Sequence, residues 1–303
     1  TPTANNAYHY GTETYAIQLT QPLYRKQNAA AYAQGIAGAN QSELELELAR
    51  QELILRASQA YFDVLAAQDA LDFVISEKES IGKQLSLAKR NFAVGNATLV
   101  DVHEAQARYD IAAAQQITAA NFLEVKKEAL RMLTGNEPGM LARLETKLDL
   151  QAPEPADMNQ WVETAVNGSQ RIKSQREAVE IARQEVEKSR GGHQPTLDLT
   201  ASRAYSDAGG SVQGLAIEST TNQIGLQFQM PLYQGGGISS KVRESAARLE
   251  EANQRLDQTR RQVSQQTRET YLAVINGVAR VRALEQARIS NERALESTVI
   301  GYE

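Results

Sequence analysis

Residues 53–92 read LILRASQAYFDVLAAQDALDFVISEKESIGKQLSLAKRNF, and steps of three and four pick out one stripe along them. The stripe is Leu53, Ala57, Ala60, Val64, Ala67, Leu71, Val74, Lys78, Ile81, Leu85, Ala88 and Phe92, a heptad seam with one polar interruption at Lys78. Shifted by 210 positions, the same register reads Val263, Thr267, Thr270, Val274, Gly277, Val281, Leu284, Arg288, Asn291, Leu295, Thr298 and Tyr302, with a cation again at the interruption. The chain is a tandem repeat of a long coiled-coil helix. A 3.5-residue period keeps its stripe against a neighbour only when helices wind around each other, so each copy needs partners along its length. The first copy, from near Asn28 to Asn91, is expected to extend about 90 Å at ~1.5 Å per residue.

The composition agrees. Of 303 residues only 6% are aromatic, and Ala, Gln, Glu, Arg and Leu crowd the middle of the chain, as in coiled coils. The net charge of -5 is mild, with both signs interspersed, so no basic stripe points to nucleic acid. The absence of cysteine fits the bacterial envelope and many cytosolic proteins alike. No run approaches 18 apolar residues, which excludes a transmembrane helix but not a barrel, whose strands carry only a weak alternating signal. The sequence opens at Thr1 without a signal-peptide pattern and is expected to be a processed or shortened one.

Each long helix follows a strand. Tyr15, Ile17, Leu19 and Leu23 alternate with Ala16, Gln18 and Thr20, and Pro22 marks a sheet margin. In the second half Ile224, Leu226, Phe228, Met230 and Leu232 alternate with Gly225, Gln227 and Gln229, ending in Pro231 and Tyr233. The repeated unit is therefore strand, Pro-Leu-Tyr exit, long helix. A third strand, with Leu197, Leu199, Ala201 and Tyr205 on one side, precedes the second copy, and Arg203 breaks its apolar side. Residues 207–221, with three glycines, read as a loop between two antiparallel strands. By symmetry the first strand needs an upstream partner, and residues 1–12 read as the tail of that missing loop. Four strands cannot close on themselves, since small membrane barrels use about eight. Two or three chains would supply eight or twelve, and three is preferred because twelve leaves an open lumen.

After the first long helix, Gly95 reads as a left-handed stop, and Thr98 with Asp101 forms a capping box that starts a return helix to about Leu133. A linker with Pro153 and Pro155 follows, then short helices near 157–166 and 170–190 and a break at Gly191, Gly192 and Pro195. The second long helix, about Ser239–Tyr302, is expected to lack its return helix, the sequence being incomplete at both ends.

No catalytic constellation is present. His9, His103 and His193 lie far apart without cysteines or spaced carboxylates, and Gly235–Gly237 lack the Lys-Ser/Thr of a phosphate loop, reading instead as a strand-to-helix joint. No enzyme activity, cofactor or metal is expected. Asp101 has two compatible readings, the capping acid and a hydrogen-bond acceptor at the narrow end of a tube where three copies gather.

Together, Phe92-Ala-Val-Gly, Thr98-Leu-Val-Asp101-Val, Ala107-Arg-Tyr-Asp110, Leu133-Thr-Gly-Asn136, Gly192-His-Gln-Pro-Thr-Leu-Asp-Leu-Thr-Ala-Ser202 and Met230-Pro-Leu-Tyr-Gln-Gly-Gly236 resemble the TolC-type outer-membrane channel family over nearly the whole chain. The resemblance implies a mixed fold: a homotrimer with a twelve-stranded transmembrane β-barrel, about four strands per chain, continued by a long α-helical tunnel across the periplasm. Residues 1–24 would be a barrel strand and its preceding loop, 25–135 the tunnel hairpin, 136–191 an equatorial belt, 192–237 two further strands with an extracellular loop, and 238–303 the second tunnel helix. It implies an exit duct in the outer membrane of a Gram-negative bacterium, for small molecules or secreted polypeptides. Its partners would be a periplasmic adaptor, an inner-membrane transporter driven by ATP or protons, and outer-membrane lipid. The hairpin tip, Val94, Gly95, Asn96 and Ala97, would be the adaptor-docking region, and Asp101 and Tyr302 would hold the periplasmic entrance shut. The rival reading is a periplasmic coiled-coil adaptor without a pore, which would need a compact lipoyl-like domain that the sequence does not display.

Overall fold

The seam of the first repeat closes onto a second helix. In the computed structural model, which describes residues 11–139, 141–144, 150–210 and 216–302, α1 spans Lys26–Ala93 and α2 spans Leu99–Thr134. The 68 residues of α1 extend about 100 Å at ~1.5 Å each. The chain folds as two compact units, one being Leu46–Gln151 and the other drawn from both flanking stretches.

In the first of these units α1 and α2 are antiparallel. Val64, Ala67, Leu123 and Leu130 form the buried centre, with Ala60, Leu71 and Leu141 packed around it. The polar interruption is absorbed locally: Lys78 Nζ lies 5.4 Å from the centre of the Tyr109 ring and donates to Gln116 Oε1 at 2.9 Å, so its charge meets an aromatic face and an amide. Lys126 bridges the helices to Asp63 at 2.8 Å, and Gln59 also donates to Asp63. These bonds, Lys126 first, hold the Asp63 carboxyl below its ordinary range. Past α2, Tyr61 Oη donates to the Ala142 carbonyl at 2.6 Å and Arg143 pairs with Asp72 at 2.6 Å, fastening the following segment back onto α1.

The other unit contains α3 (Met158–Gly168), α4 (Gln170–Arg190), the strands β1 (Thr12–Tyr24), β2 (Thr196–Ala208) and β3 (Ile217–Gln229), and α5 (Gly237–Tyr302). Helix α4 lies against the N-terminal third of each of the two long helices. Gln34 Nε2 donates to Glu185 and Ser174 Oγ to Glu45 on its α1 side, while Ile172 and Val179 pack on Leu256 of α5. Asp157 and Ser169 cap α3 and α4 through their side chains.

The strands form one antiparallel sheet in the order β1-β2-β3. They begin and end elsewhere than the sequence implies: β1 starts at Thr12, the β2–β3 connection begins only after Ala208, and β3 is complete at Gln229, before Met230 and Leu232. The polar stretch 217–221 is strand because Thr220 and Thr221 pair with Tyr205 and Ala204, and β-branched threonine suits a ladder whatever its polarity. Within β1 the register shifts between Pro22 and Tyr24, placing the proline beside a bulge, where its missing N–H is tolerated. Of the stretch read as the tail of an upstream loop, Thr12 is already strand, and residues 1–10 lie outside the described residues.

Candidate functional site

The sheet is the first candidate, because its register sorts side chains into two unlike faces. Cross-strand neighbours share a face, so the pairings assemble rows. One face carries Tyr15–Tyr205–Thr220, Ile17–Arg203–Asn222, Leu19–Ala201–Ile224, Gln21–Leu199–Leu226 and Tyr24–Leu197–Phe228. The other carries Thr14–Ser206–Ser219, Ala16–Ala204–Thr221, Gln18–Ser202–Gln223, Thr20–Thr200–Gly225 and Pro22–Asp198–Gln227. Ile17, Ile224 and Leu226 are 77%, 81% and 67% exposed, so the first face presents large apolar groups that no described residue covers. Each strand has 13 residues, and a tilted strand needs about 9–11 to cross a bilayer. No described helix is long and apolar enough to cross a membrane.

At its helix end the sheet is locked to the long helices. Arg25, between β1 and α1, donates from Nε to Asp198 Oδ1 at 2.9 Å and from Nη2 to Oδ2 at 2.6 Å, and Asp198 is 5% exposed. This two-pronged, charge-assisted pair fixes the strand-to-helix turn more strictly than a single bond could. Tyr24 Oη donates to Gln194 Oε1 alongside it. Sequence reading missed the pair, because 173 positions separate its members and Asp198 there was one more polar residue in an alternating strand. Gly191 and Gly192 are also more than chain breakers. A Cβ on Gly191 would lie 3.0 Å from Gln27 Cγ, and one on Gly192 3.1 Å from Ile238 Cγ2, so both long helices approach this one turn closely.

The hairpin tip is the second candidate. Gly95 takes φ 82°, donating to the Phe92 carbonyl while Asn96 donates to that of Asn91, the paired bonds of a Schellman stop. Thr98 then caps α2: its N–H and hydroxyl both donate to Asp101 Oδ2 at 2.7 Å, and Asp101 N–H donates back to Thr98 Oγ1 at 3.3 Å. The backbone bond first, then the hydroxyl, hold the Asp101 carboxyl below its ordinary range. Oδ2 is thus committed to the cap, while Oδ1 accepts from no other described residue. Val94 and Val100 are 69% and 71% exposed, with Phe92 and Leu99 also open to solvent, so the tip presents apolar side chains that no described residue covers. Gly95 and Asn96 are exposed and Ala97 is half-buried. Tyr302 ends α5, and its side chain lies outside the described residues, as does His9. His103 is exposed on α2 and His193 sits in the turn after α4, and no group of three His, Cys, Asp or Glu suited to a metal forms among the described residues.

This sheet with two faces, joined to paired repeats of long helix, has close counterparts. The family model described as outer membrane efflux protein matches residues 3–136 and 161–303. The chain belongs to the outer membrane efflux protein family. It is 30% identical over 306 residues to the outer membrane protein TolC of Escherichia coli, covering 98% of this chain and 62% of that protein. It is 32% identical to TolC of Vibrio cholerae, covering 95% and 66%, and 30% identical to the proteases secretion protein PrtF of Dickeya chrysanthemi, covering 98% and 65%. The chain thus spans less than two thirds of the length of each of these relatives. Among solved structures the Vibrio cholerae outer membrane protein VceC has the same fold, with a TM-score of 0.71 at 19% identity over 95% of this chain and 75% of that one. The efflux-family fold accounts for the sheet, the hairpin and the repeated helices together.

Proposed function

We propose that the chain is the duct-forming part of a homotrimeric exit channel in the outer membrane of a Gram-negative bacterium. The observation that carries this is the register of the sheet, which gathers the paired large apolar side chains between the tyrosine row and the helix end on one face and small or polar ones on the other. A free-standing soluble domain would bury that apolar face; a barrel turns it to lipid and the polar face to a water-filled lumen. Four strands per chain and three chains give twelve strands, and the repeated long helices continue the wall as a tunnel through the periplasm. The short helices α3 and α4, which pack along the first half of α5, form a belt around the tunnel there.

The duct turns nothing over. A transporter in the inner membrane supplies energy and selects cargo, small molecules or polypeptides, and an adaptor seats on the apolar tip at Val94–Ala97. Relatives named for protease secretion and for efflux support both cargo classes. Asp101 Oδ1, left over by the cap, bonds a neighbouring helix at the entrance, in company with Tyr302. A pore-free adaptor has no use for a sheet with one lipid-matched face.

The whole protein, extracted from outer membranes, is expected to run as a heat-resistant trimer in detergent and to conduct ions in planar bilayers. A monodisperse monomer that needs no detergent overturns the reading.

A further inference from the structure

One charge lies on the apolar face. Between the Tyr15–Tyr205 row and the Tyr24–Leu197–Phe228 row, Arg203 is the sole ionised side chain on that side of the described sheet, flanked by Ile17 and Asn222. It is exposed and makes no hydrogen bond or ion pair with any described residue. On a lipid-facing strand an arginine is most costly at the bilayer midplane and far less so near the interface, so its depth and its partner matter. Two residues at ~3.3 Å each, on a strand tilted by ~40°, set it roughly 5 Å inside the tyrosine row, on the side of the β2–β3 connection. From there the stem lies along apolar surface while the guanidinium reaches the interface.

The neighbouring groups define what meets it. Tyr205 Oη donates to Glu218 Oε1 at 2.9 Å and Tyr15 Oη to Glu13 Oε2 at 3.3 Å, so both tyrosines lean away from Arg203 toward the row Glu13–Asp207–Glu218. Arg203, with the Asn222 amide beside it, is left as the donor set at this level. The three carboxylates stand between Arg203 and the water, and they repel a free anion arriving from solution. An anion that is part of the membrane reaches Arg203 sideways and avoids them.

We propose that Arg203, assisted by Asn222, holds the phosphate of an outer-leaflet lipid against each subunit of the duct. The inference rests on the barrel reading above. A guanidinium suits a phosphate because its planar fork offers paired donors to two oxygens.

The test uses the whole trimer in neutral phosphatidylcholine nanodiscs doped with a diphosphorylated acyl-glucosamine lipid or with phosphatidylglycerol, read by native mass spectrometry after extraction. Wild type is expected to retain phosphorylated lipid over phosphatidylcholine, up to one per chain. Arg203→Gln is expected to retain about fivefold less, the effect of about 1 kcal/mol per cation near an anionic surface. Arg203→Lys should keep part of the preference, and Lys83→Gln, which removes an exposed cation from α1, should keep all of it. Equal retention by wild type and Arg203→Gln overturns the proposal. So does displacement by millimolar inorganic phosphate, which makes the partner a free anion, or dissociation of the Arg203→Gln trimer, which makes it a carboxylate of the next subunit. Conductance of the same preparation separates the two claims: a conducting trimer without lipid preference sinks this inference alone, and a non-conducting monomer sinks the duct and this inference with it.

Discussion

The two long helices carry one register in sequence and meet opposite surroundings in the structure. Along α1, Val64, Ala67 and Leu85 are 4%, 2% and 7% exposed, because α2 lies over them. Along α5 the aligned Val274 and Leu295 are 43% and 66% exposed, and Val281 and Leu284 beside them are open as well. Where α5 does have a neighbour, near Leu256 and Val263, it is α4 and α3 that cover it. The repeat therefore specifies a demand for burial but not what meets it: the first copy is satisfied within its own chain, the second is left to other segments. An apolar stripe of this length on one helix marks a contact surface. In the proposed trimer other tunnel helices supply the cover.

The strongest way to break this equivalence is to shorten one leucine in each copy. Leu85→Ala opens a cavity under α2 and is expected to cost about 2–5 kcal/mol. If α5 is covered in the assembled duct as α1 is covered here, Leu295→Ala costs about the same, read as the fall in trimer melting temperature of the whole protein. A cost of Leu295→Ala within about 0.5 kcal/mol, the usual value for a surface change, ends the equivalence.

A middle-sized effect tests the turn that gives α1 its partner. Gly95 holds φ 82°, where a side chain costs about 1–2 kcal/mol. Gly95→Ala is expected to destabilise the hairpin by that amount, checked by thermal unfolding followed by circular dichroism. No loss would mean that the tip reaches the same reversal with another backbone.

Gly277 gives a smaller effect of opposite sign. It is the residue of α5 aligned with buried Ala67, and a Cβ placed on it meets nothing within 4 Å. Gly277→Ala restores the residue of the first copy and relieves a helix-interior glycine, so it is expected to raise stability by about 0.5–1 kcal/mol. A loss instead would show that a neighbouring helix approaches α5 more closely than α2 approaches α1 at Ala67.

What could be read from sequence follows the range of the forces involved. The seam of the first repeat, the Gly95 stop and the capping box of Thr98 and Asp101 depend on residues within one or two turns, and the structure reproduces each of them. The strand alternation gave the correct faces from Tyr15 to Gln21, because side-chain direction is local, but not at Leu23, where the register shift brings Tyr24 instead into the Leu197–Phe228 row. The strand ends were displaced because pairing, not polarity, decides where a ladder stops: Ser219 and Thr220 are strand through β2. The bidentate grip of Arg25 on Asp198 and the close approach of Gln27 and Ile238 to Gly191 and Gly192 join residues far apart in the chain, where spacing carries no signal.

The finest distinction concerns Asp101, whose two oxygens have different work. Oδ2 is occupied by the Thr98 N–H and hydroxyl, which hold the carboxyl below its ordinary value of 3.8. A lowered folded-state value makes the cap's contribution fully present above the ordinary carboxylate range and lost as the pH falls through that lower value. The cap is therefore intact from pH 5 to 8, and any change in conductance over that window has another source. Thr98→Ala removes the hydroxyl that accepts from Asp101 N–H and leaves the carboxylate in place; Asp101→Ala removes the carboxylate half of the capping box together with the second oxygen and leaves the backbone N–H on Thr98 Oγ1. If Oδ1 ties the entrance to a neighbouring chain, Asp101→Ala raises single-channel conductance in planar bilayers while Thr98→Ala leaves it near the wild-type level. Equal increases in both variants make the entrance sensitive only to the start of α2, and unchanged current in both reduces Asp101 to its local capping role.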